Sequence, residues 1–278
     1  MAREARAQDR AVGFVPTMGA LHEGHLSLIG AAQSECSPVV VSIFVNPKQF
    51  GPSEDFQKYP RAFEADRAAL ENLGVDYLFA PPTEEMYPRG FNTVVAVGGL
   101  SDKLEGLSRP GHFHGVTTVV LKLFEIVQPN RAYFGRKDAQ QARIIRQMSL
   151  DLNLDAQIVV RPILREPDGL ALSSRNVYLQ GNDRGAATAL YRSLDAVGRE
   201  IEAGQRDVMR LLAVLRGVLD AESGVTLDYA EIVDAESLEP VVSLRGRCLI
   251  LLAAKVGKTR LIDNALVEQD GESFRITV

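Results

Sequence analysis

Nowhere in the 278 residues is there an apolar run long enough to span a bilayer. The opening segment, Met1-Ala2-Arg3-Glu4-Ala5-Arg6, lacks the apolar core of a secretory leader. No membrane partner is expected, and a cytoplasmic location is. Basic residues are not in excess either. Lys and Arg number 31 against 36 Asp and Glu, for a formal net charge of −5. A nucleic-acid backbone would find no general counter-charge, so a polymer partner is not expected and any anionic ligand must meet a local cluster of cations. Cysteine is scarce. The two present, Cys36 and Cys248, each adjoin an apolar run and show no zinc-type spacing, so they read as buried free thiols, and a disulfide between them has little support. There is no internal repeat and no low-complexity segment. With 46% hydrophobic and 24% charged residues the composition is that of an ordinary globular chain, long enough for two domains.

What is present is organised around Pro16-Thr17-Met18-Gly19-Ala20-Leu21-His22-Glu23-Gly24-His25. An apolar β-type run, 11–15, leads into it, and a helical pattern over 22–34 follows. Strand, glycine-bearing turn and helix are the means by which α/β proteins bring backbone N–H groups to a phosphate. His22 and His25 are three apart, on one face near the positive end of the helix. The stretch lacks the Lys-Ser/Thr ending of a P-loop and the spacing of a dinucleotide fingerprint. Taken alone, it is equally explained as polar surface.

Alternation continues downstream. Residues 39–45 form a β-branched run suited to a strand buried on both faces. It ends in Asn46-Pro47-Lys48-Gln49-Phe50-Gly51-Pro52, at the carboxyl end of a strand, where open α/β sheets bind ligands. Turn chemistry suffices for Asn46, directly before Pro47, and explains Gln49 less well. A helix is expected over 54–73, strands over 75–80 and 92–97, then a tight polar loop, Arg109-Pro110-Gly111-His112-Phe113-His114-Gly115-Val116, before a helix over 117–126. All four histidines fall in two short segments, yet their spacing matches no standard zinc site. A strand over 131–135 leads to Arg136-Lys137-Asp138. Asp138 can cap the next helix, whereas Arg136 and Lys137 at its positive end are unfavourable unless an anion is present. After a strand over 157–163 comes Leu172-Ser173-Ser174-Arg175-Asn176, readable as an anion clamp or as a helix cap with a surface arginine. Helices over 186–203 and 206–219 and strands over 227–233, 248–254 and 259–263 complete the chain, the last two as a hairpin. The expected fold is α/β: a Rossmann-like parallel-sheet domain, 1–165, followed by a smaller α+β domain, 166–278.

His22-Glu23-Gly24-His25 matches the His-x-Gly-His signature of the nucleotidyltransferase superfamily. Joined by Phe44-Val45-Asn46-Pro47, Gln49-Phe50-Gly51, Tyr59-Pro60-Arg61, Arg109-Pro110-Gly111-His112-Phe113, Phe134-Gly135, Lys137-Asp138, Gln140-Gln141, the stretch 172–176 and the stretch 259–264, it resembles the pantothenate synthetase (pantoate–β-alanine ligase) family. Each motif is weak, but their joint occurrence in this order, over nearly the whole chain, is specific.

The resemblance implies a ligase that forms pantoyl adenylate from ATP and pantoate and passes the pantoyl group to β-alanine, releasing pyrophosphate and AMP. It implies that Met18, Gly19, Ala20, Leu21, His22, Glu23, Gly24 and His25 line the ATP site, with Gly135, Arg136, Lys137, Asp138, Leu172, Ser173, Ser174 and Arg175. His25, His22, Lys137 and Arg175 would act in catalysis, His25 by stabilising the phosphates or by protonating pyrophosphate. Gln49 and Gln141 would bind pantoate, Met18 and Phe50 would lie near its dimethyl carbon, and Gln49 would also meet β-alanine. The second domain would close over the site. Magnesium would come with ATP. Where some relatives carry a denser acidic cluster linked to that metal, Ala65 and Ala69 flank Asp66 here, so no protein metal ligand is assigned. A homodimer is implied. The alternatives are an adenylyltransferase of the same superfamily acting on a phosphorylated acceptor, disfavoured by the neutral Gln49 and Gln141, and a nucleotide-binding protein without catalysis.

Overall fold

A computed structural model describes residues 1–52 and 54–278. The chain divides into two compact units, Met1–Pro162 and Ile163–Val278.

The first unit runs α1 (Ala2–Ala7), β1 (Gly13–Thr17), α2 (Glu23–Glu35), β2 (Val39–Ile43), α3 (Phe63–Asn72), β3 (Tyr77–Phe79), α4 (Thr83–Met86), α5 (Glu105–Ser108), α6 (His112–Val127), β4 (Arg131–Gly135), α7 (Ala139–Asp151) and β5 (Gln157–Arg161). Its strands form one parallel sheet in the order β3-β2-β1-β4-β5. Strand periodicity sends neighbouring residues to opposite faces. Phe14, Val40 and Ala132 pack with Val116, Val120 and Phe124 of α6 and Ile144 and Met148 of α7. Val15, Val39, Val41 and Tyr133 face the other way, onto Leu28, Ile29 and Ala32 of α2 and Leu70 of α3. Each large apolar side chain so buried stabilises the unit by about 1.5–3 kcal/mol. The run Val39-Val40-Val41, with Ser42 also buried, thus reflects a strand covered on both sides.

Three local expectations give way. The 92–97 segment is not a strand. Its backbone is satisfied by α6 instead: the Val95 N–H donates to Thr118 Oγ1 at 2.9 Å, and Thr117 Oγ1 donates to the Val95 carbonyl at 2.6 Å. The helix expected over 54–73 is cut to Phe63–Asn72. Pro60 cannot continue a helix, and the Arg61 guanidinium turns back onto the carbonyls of Phe56 and Tyr59. Finally, the polar loop around 109–116 is largely helix, because α6 already begins at His112, after Gly111 in the left-handed region at φ 80°.

The second unit holds α8 (Asn182–Ala186), α9 (Ala189–Glu202), α10 (Val208–Asp220) and an antiparallel sheet, β6 (Val225–Asp234), β7 (Arg247–Val256), β8 (Thr259–Asp270) and β9 (Ser273–Thr277), in sequential order. Leu190, Leu194, Ile201, Leu211 and Leu215 bury the helices' apolar stripes with Ile232, Ile250 and Val267 of the sheet. Arg165 forks onto Asp263 of β8 at 2.7 and 2.9 Å, a charge pair almost wholly removed from water. Cys36 and Cys248 are both free and buried. Among the described residues, no helix is long and apolar enough to cross a membrane.

Candidate active site

In the sheet order the three central strands are β2, β1 and β4, so the loops leaving their carboxyl ends are neighbours. The direction of winding reverses between β1 and β4, the place where open parallel sheets gather ligands. The polar stretches 16–25, 44–52 and 135–141 are those loops.

The first is shaped by its own side chains. Thr17, at the end of β1, donates its hydroxyl to the Ser42 carbonyl at 2.7 Å and accepts the Gly19 N–H at 3.2 Å. Gly19 and Ala20 then take left-handed conformations, φ 81° and 50°. A side chain at Gly19 would also sit 2.9 Å from Asp66 Oδ2 and 3.1 Å from Ile43. Asp66, buried in the first turn of α3, accepts the N–H groups of Ala20 and Leu21, one on each oxygen, both at 2.8 Å. His22 caps α2 through Nδ1, which accepts the Gly24 N–H at 3.1 Å, and His25 Nδ1 accepts the His22 N–H at 3.3 Å. The N–H groups of Gly19, Ala20, Leu21, His22 and Gly24 are therefore all taken within the protein. This departs from the backbone cradle that the strand–turn–helix pattern suggested. What the stretch offers an anion is imidazole.

The capping bonds also settle the tautomers. With Nδ1 of both rings accepting, the proton of each neutral ring lies on Nε2. The rings lie 4.1 Å apart between centroids, tilted by 42° to one another. Burial pushes His25 down to about 3, helped by the neighbouring His22 ring and by Lys137, with Asp138 opposing. His22 is lowered by burial and by Lys137, again against Asp138. Both rings are thus neutral donors at pH 7. An unfolded chain takes up protons on these imidazoles near the ordinary 6.5, whereas native His25 refuses them until about 3. Stability is therefore complete above about pH 6.5 and declines as pH falls toward 3. We expect the urea midpoint to drop between pH 7 and 4.5, and less steeply in His25→Asn, whose amide oxygen can still accept the His22 N–H. Equal slopes would remove the imidazole as the cause.

The second loop is a one-turn helix over 47–49 with Asn46 as its cap. Asn46, assigned to turn chemistry from the sequence, does more than cap. Its oxygen accepts the Lys48 N–H at 3.2 Å and the Tyr87 hydroxyl at 2.8 Å, and its amide donates to Gln49 Oε1 at 3.0 Å and to the Gly115 carbonyl at 3.1 Å. Gln49, itself buried, donates Nε2 to Met18 Sδ at 3.0 Å, joining the second loop to the first. Phe50 packs with Phe56 and Tyr59. Proline adjacency hid the role of Asn46. A buried asparagine with donor and acceptor both used could have been suspected only from its partners.

The third loop carries Gly135, Arg136, Lys137 and Asp138, the last three in a short helical turn. The side chain of Asp138 does not cap α7. It lies 3.6 Å from Lys137 Nζ. The influence of both residues on His22 and His25 places the first and third loops together. The paired glutamines separate. Gln140 is buried and consumed, donating to the carbonyls of Leu100 and Lys103 and accepting the Glu105 N–H. Gln141 is half-buried on the first turn of α7, with no side-chain partner among the described residues.

Leu172, Ser173, Ser174 and Arg175 belong to the second unit. Ser173 caps a short helical turn, Ser174–Tyr178, by accepting the Arg175 N–H at 3.2 Å. Asn176 fixes the segment through Glu166 and the Ala171 carbonyl, both at 3.1 Å. The cap reading of this stretch is therefore present in full, and a cap does not preclude a clamp.

Among the described residues no three His, Cys, Asp or Glu side chains converge as metal ligands. Each Asp66 oxygen is already committed to a backbone N–H.

Comparison with known proteins gives the family. The family model described as Pantoate-beta-alanine ligase matches residues 1–266. The pantothenate synthetase of Pelotomaculum thermopropionicum is 53% identical over 267 residues, covering 96% of this chain and 95% of its own. That of Heliobacterium modesticaldum is 55% identical over 266 residues, with coverage of 96% and 95%. Among solved structures, the Thermus thermophilus pantothenate synthetase superposes with a TM-score of 0.90 at 49% identity, covering 95% of this chain and 96% of that one. The Francisella tularensis pantoate-beta-alanine ligase, complexed with beta-gamma ATP and beta-alanine, gives 0.76 at 41% identity over 92% and 90%. Matched over nearly its whole length by the family model and by these proteins, the chain is a member of the pantoate–β-alanine ligase family.

Proposed function

We propose that this ligase joins pantoate to β-alanine in two steps at the carboxyl end of its parallel sheet. A pantoate carboxylate oxygen attacks the α-phosphorus of ATP. The bond to the bridging oxygen breaks, and pyrophosphate leaves. The β-alanine amine then attacks the acyl carbon of the pantoyl adenylate. The acyl carbon–oxygen bond breaks, AMP leaves, and the amine gives up its proton. No protein nucleophile is needed, and the chemistry is positioning and charge stabilisation.

The observation that carries this reading is the meeting of two kinds of group in adjacent loops. Neutral imidazole donors, His22 and His25, stand beside Lys137, and a neutral buried amide, Gln49, reaches the same turn through Met18. The cationic side takes phosphates. The amide side, Gln49 with Gln141, takes an acid whose carboxylate must stay nucleophilic, since a lysine there would stabilise the ground state as well. His25 acts by donating Nε2–H, because a ring that stays neutral to about pH 3 is a poor source of protons. Gly135, Arg136 and Asp138 complete the nucleotide side. Ser173, Ser174 and Arg175, on the second unit, carry hydroxyls and a guanidinium of the kind that binds phosphate oxygens. Magnesium arrives on the ATP phosphates as part of the substrate. The protein works in the cytoplasm as a homodimer, a reading supported by the family's resemblance alone.

Pyrophosphate–ATP exchange tests the scheme. Exchange should require pantoate and proceed without β-alanine. Exchange that answers only to a phosphorylated acceptor would indicate an adenylyltransferase, and tight ATP binding with no turnover a binding protein. In the same assay Gln49→Ala should raise the KM for pantoate by about tenfold, the effect of one lost buried hydrogen bond. A rise confined to ATP would reverse the assignment.

A further inference from the structure

The loop Arg109-Pro110-Gly111-His112-Phe113-His114-Gly115 contributes nothing to the chemistry above, yet the side chains of Arg109 and His112 are held in it by several hydrogen bonds. His112, 8% exposed, has its Nδ1 2.8 Å from the carbonyl oxygen of Gln49. Arg109 Nη2 donates to that same oxygen at 3.3 Å. Arg109 Nη1 lies 3.0 Å from His112 Nε2. A guanidinium can only donate, so Nε2 accepts and the ring proton is fixed on Nδ1, facing Gln49. The guanidinium is itself held by Glu54, through Nε at 2.8 Å and Nη2 at 2.7 Å. On the other side of the turn, Gly115 of α6 packs against the backbone of Lys48 and Gln49. A Cβ there would fall 2.2 Å from the Lys48 carbonyl oxygen and 2.6 Å from the Gln49 nitrogen.

We infer that Glu54, Arg109 and His112 are positioning residues that set the acid-substrate pocket by clamping the carbonyl of Gln49, so that its side-chain amide meets the substrate at one fixed point. The inference rests on the reading of Gln49 as a pantoate ligand. Its chemistry is specific. An amide buried at the end of a one-turn helix has no regular secondary structure to hold it, and two donors converging on its carbonyl supply what a longer helix would. Burial and the Arg109 charge hold His112 down to about 4, so it keeps the neutral form the clamp requires. None of the three residues needs to touch substrate.

Steady-state kinetics on His112→Phe, His112→Asn, Gln49→Ala and the His112→Phe/Gln49→Ala double variant test this. His112→Phe should raise the KM for pantoate by about tenfold, the loss of one buried hydrogen bond, and change the KM for ATP by less than about twofold. His112→Asn, whose amide nitrogen stands where Nδ1 stood, should recover most of the loss. In the Gln49→Ala background, His112→Phe should add no further rise. An unchanged pantoate KM in His112→Phe, equal rises for both substrates, or effects that multiply in the double variant would each overturn the inference. If His112→Phe does not fold, Glu54→Gln at the partly buried rim should give the same split at about threefold, and its absence is equally fatal. Should Gln49→Ala alone leave the pantoate KM unmoved, the pantoate assignment fails and the inference falls with it. A pantoate effect of Gln49→Ala without one from His112→Phe removes only the inference.

Discussion

Replacing His25 with alanine lowers kcat by roughly 10²–10³, the range for loss of one charge-stabilising donor, and leaves the KM for pantoate within about threefold. The reason lies in when the donor matters. Attack on the α-phosphorus drives negative charge onto the bridging oxygen and the departing pyrophosphate. An Nε2–H held beside that oxygen gains strength as the charge grows and contributes little beforehand. The alanine variant also strips the His22 N–H of its acceptor, so part of the loss could come from a frayed helix start. His25→Asn separates the two. Its amide oxygen can restore the cap while nothing replaces the distal donor. If kcat stays low in both variants, the donor is responsible. If asparagine restores it, His25 serves the loop and not the chemistry. A pantoate KM that rises as far as kcat falls would sink the assignment altogether.

The second large effect falls on a residue that no substrate need touch. Asp66→Asn keeps the shape of the side chain but turns one acceptor into a donor, facing an N–H of Ala20 or Leu21. One buried N–H then lacks a partner, at about 1–3 kcal/mol. For a chain of this size that corresponds to a fall in Tm of roughly 5 °C. Activity should suffer more. Without the carboxylate, the left-handed pair Gly19 and Ala20 relaxes and the paired imidazoles move, and a displacement of about 1 Å can lower the rate on the order of 10²-fold. Differential scanning calorimetry and kcat/KM for ATP check the two halves. Raising magnesium should rescue neither, since both oxygens serve backbone. Recovery at high magnesium would instead make Asp66 a metal ligand.

Much of this architecture is legible in the chain before folding. The largely β-branched run over 39–43 is a strand covered on both sides, as its composition suggests, and the helix expected from His22 starts there, with His22 as its cap. What escapes has identifiable causes. The β-branched stretch over 92–97 has strand propensity, but its hydrogen-bond partners are Thr117 and Thr118, more than twenty residues away and invisible to local periodicity. Pro60 was available as a helix stop, and the apolar pattern running past it concealed its meaning. Gln140 and Gln141 are equivalent in sequence. Adjacent on one helix and so about 100° apart around its axis, one is drawn into the core and the other is left half-buried, a choice made by the 100–105 segment that Gln140 bonds. Asp66 and Asn46 share the same difficulty, because their importance lies in partners brought near only by the fold.

The placement of the working loops on β2, β1 and β4, with β3 and β5 outside them, has a consequence for durability. Fraying begins at the margins of a sheet, where amides open at the least free energy. Here the margins carry little of the machinery, so a short outer ribbon such as Tyr77–Phe79 can breathe while the interior stays shut. Amide exchange should accordingly be slowest at Phe14, Val15, Val40 and Val41, and the enzyme should tolerate drift in its outer ribbons that would be lethal three strands in.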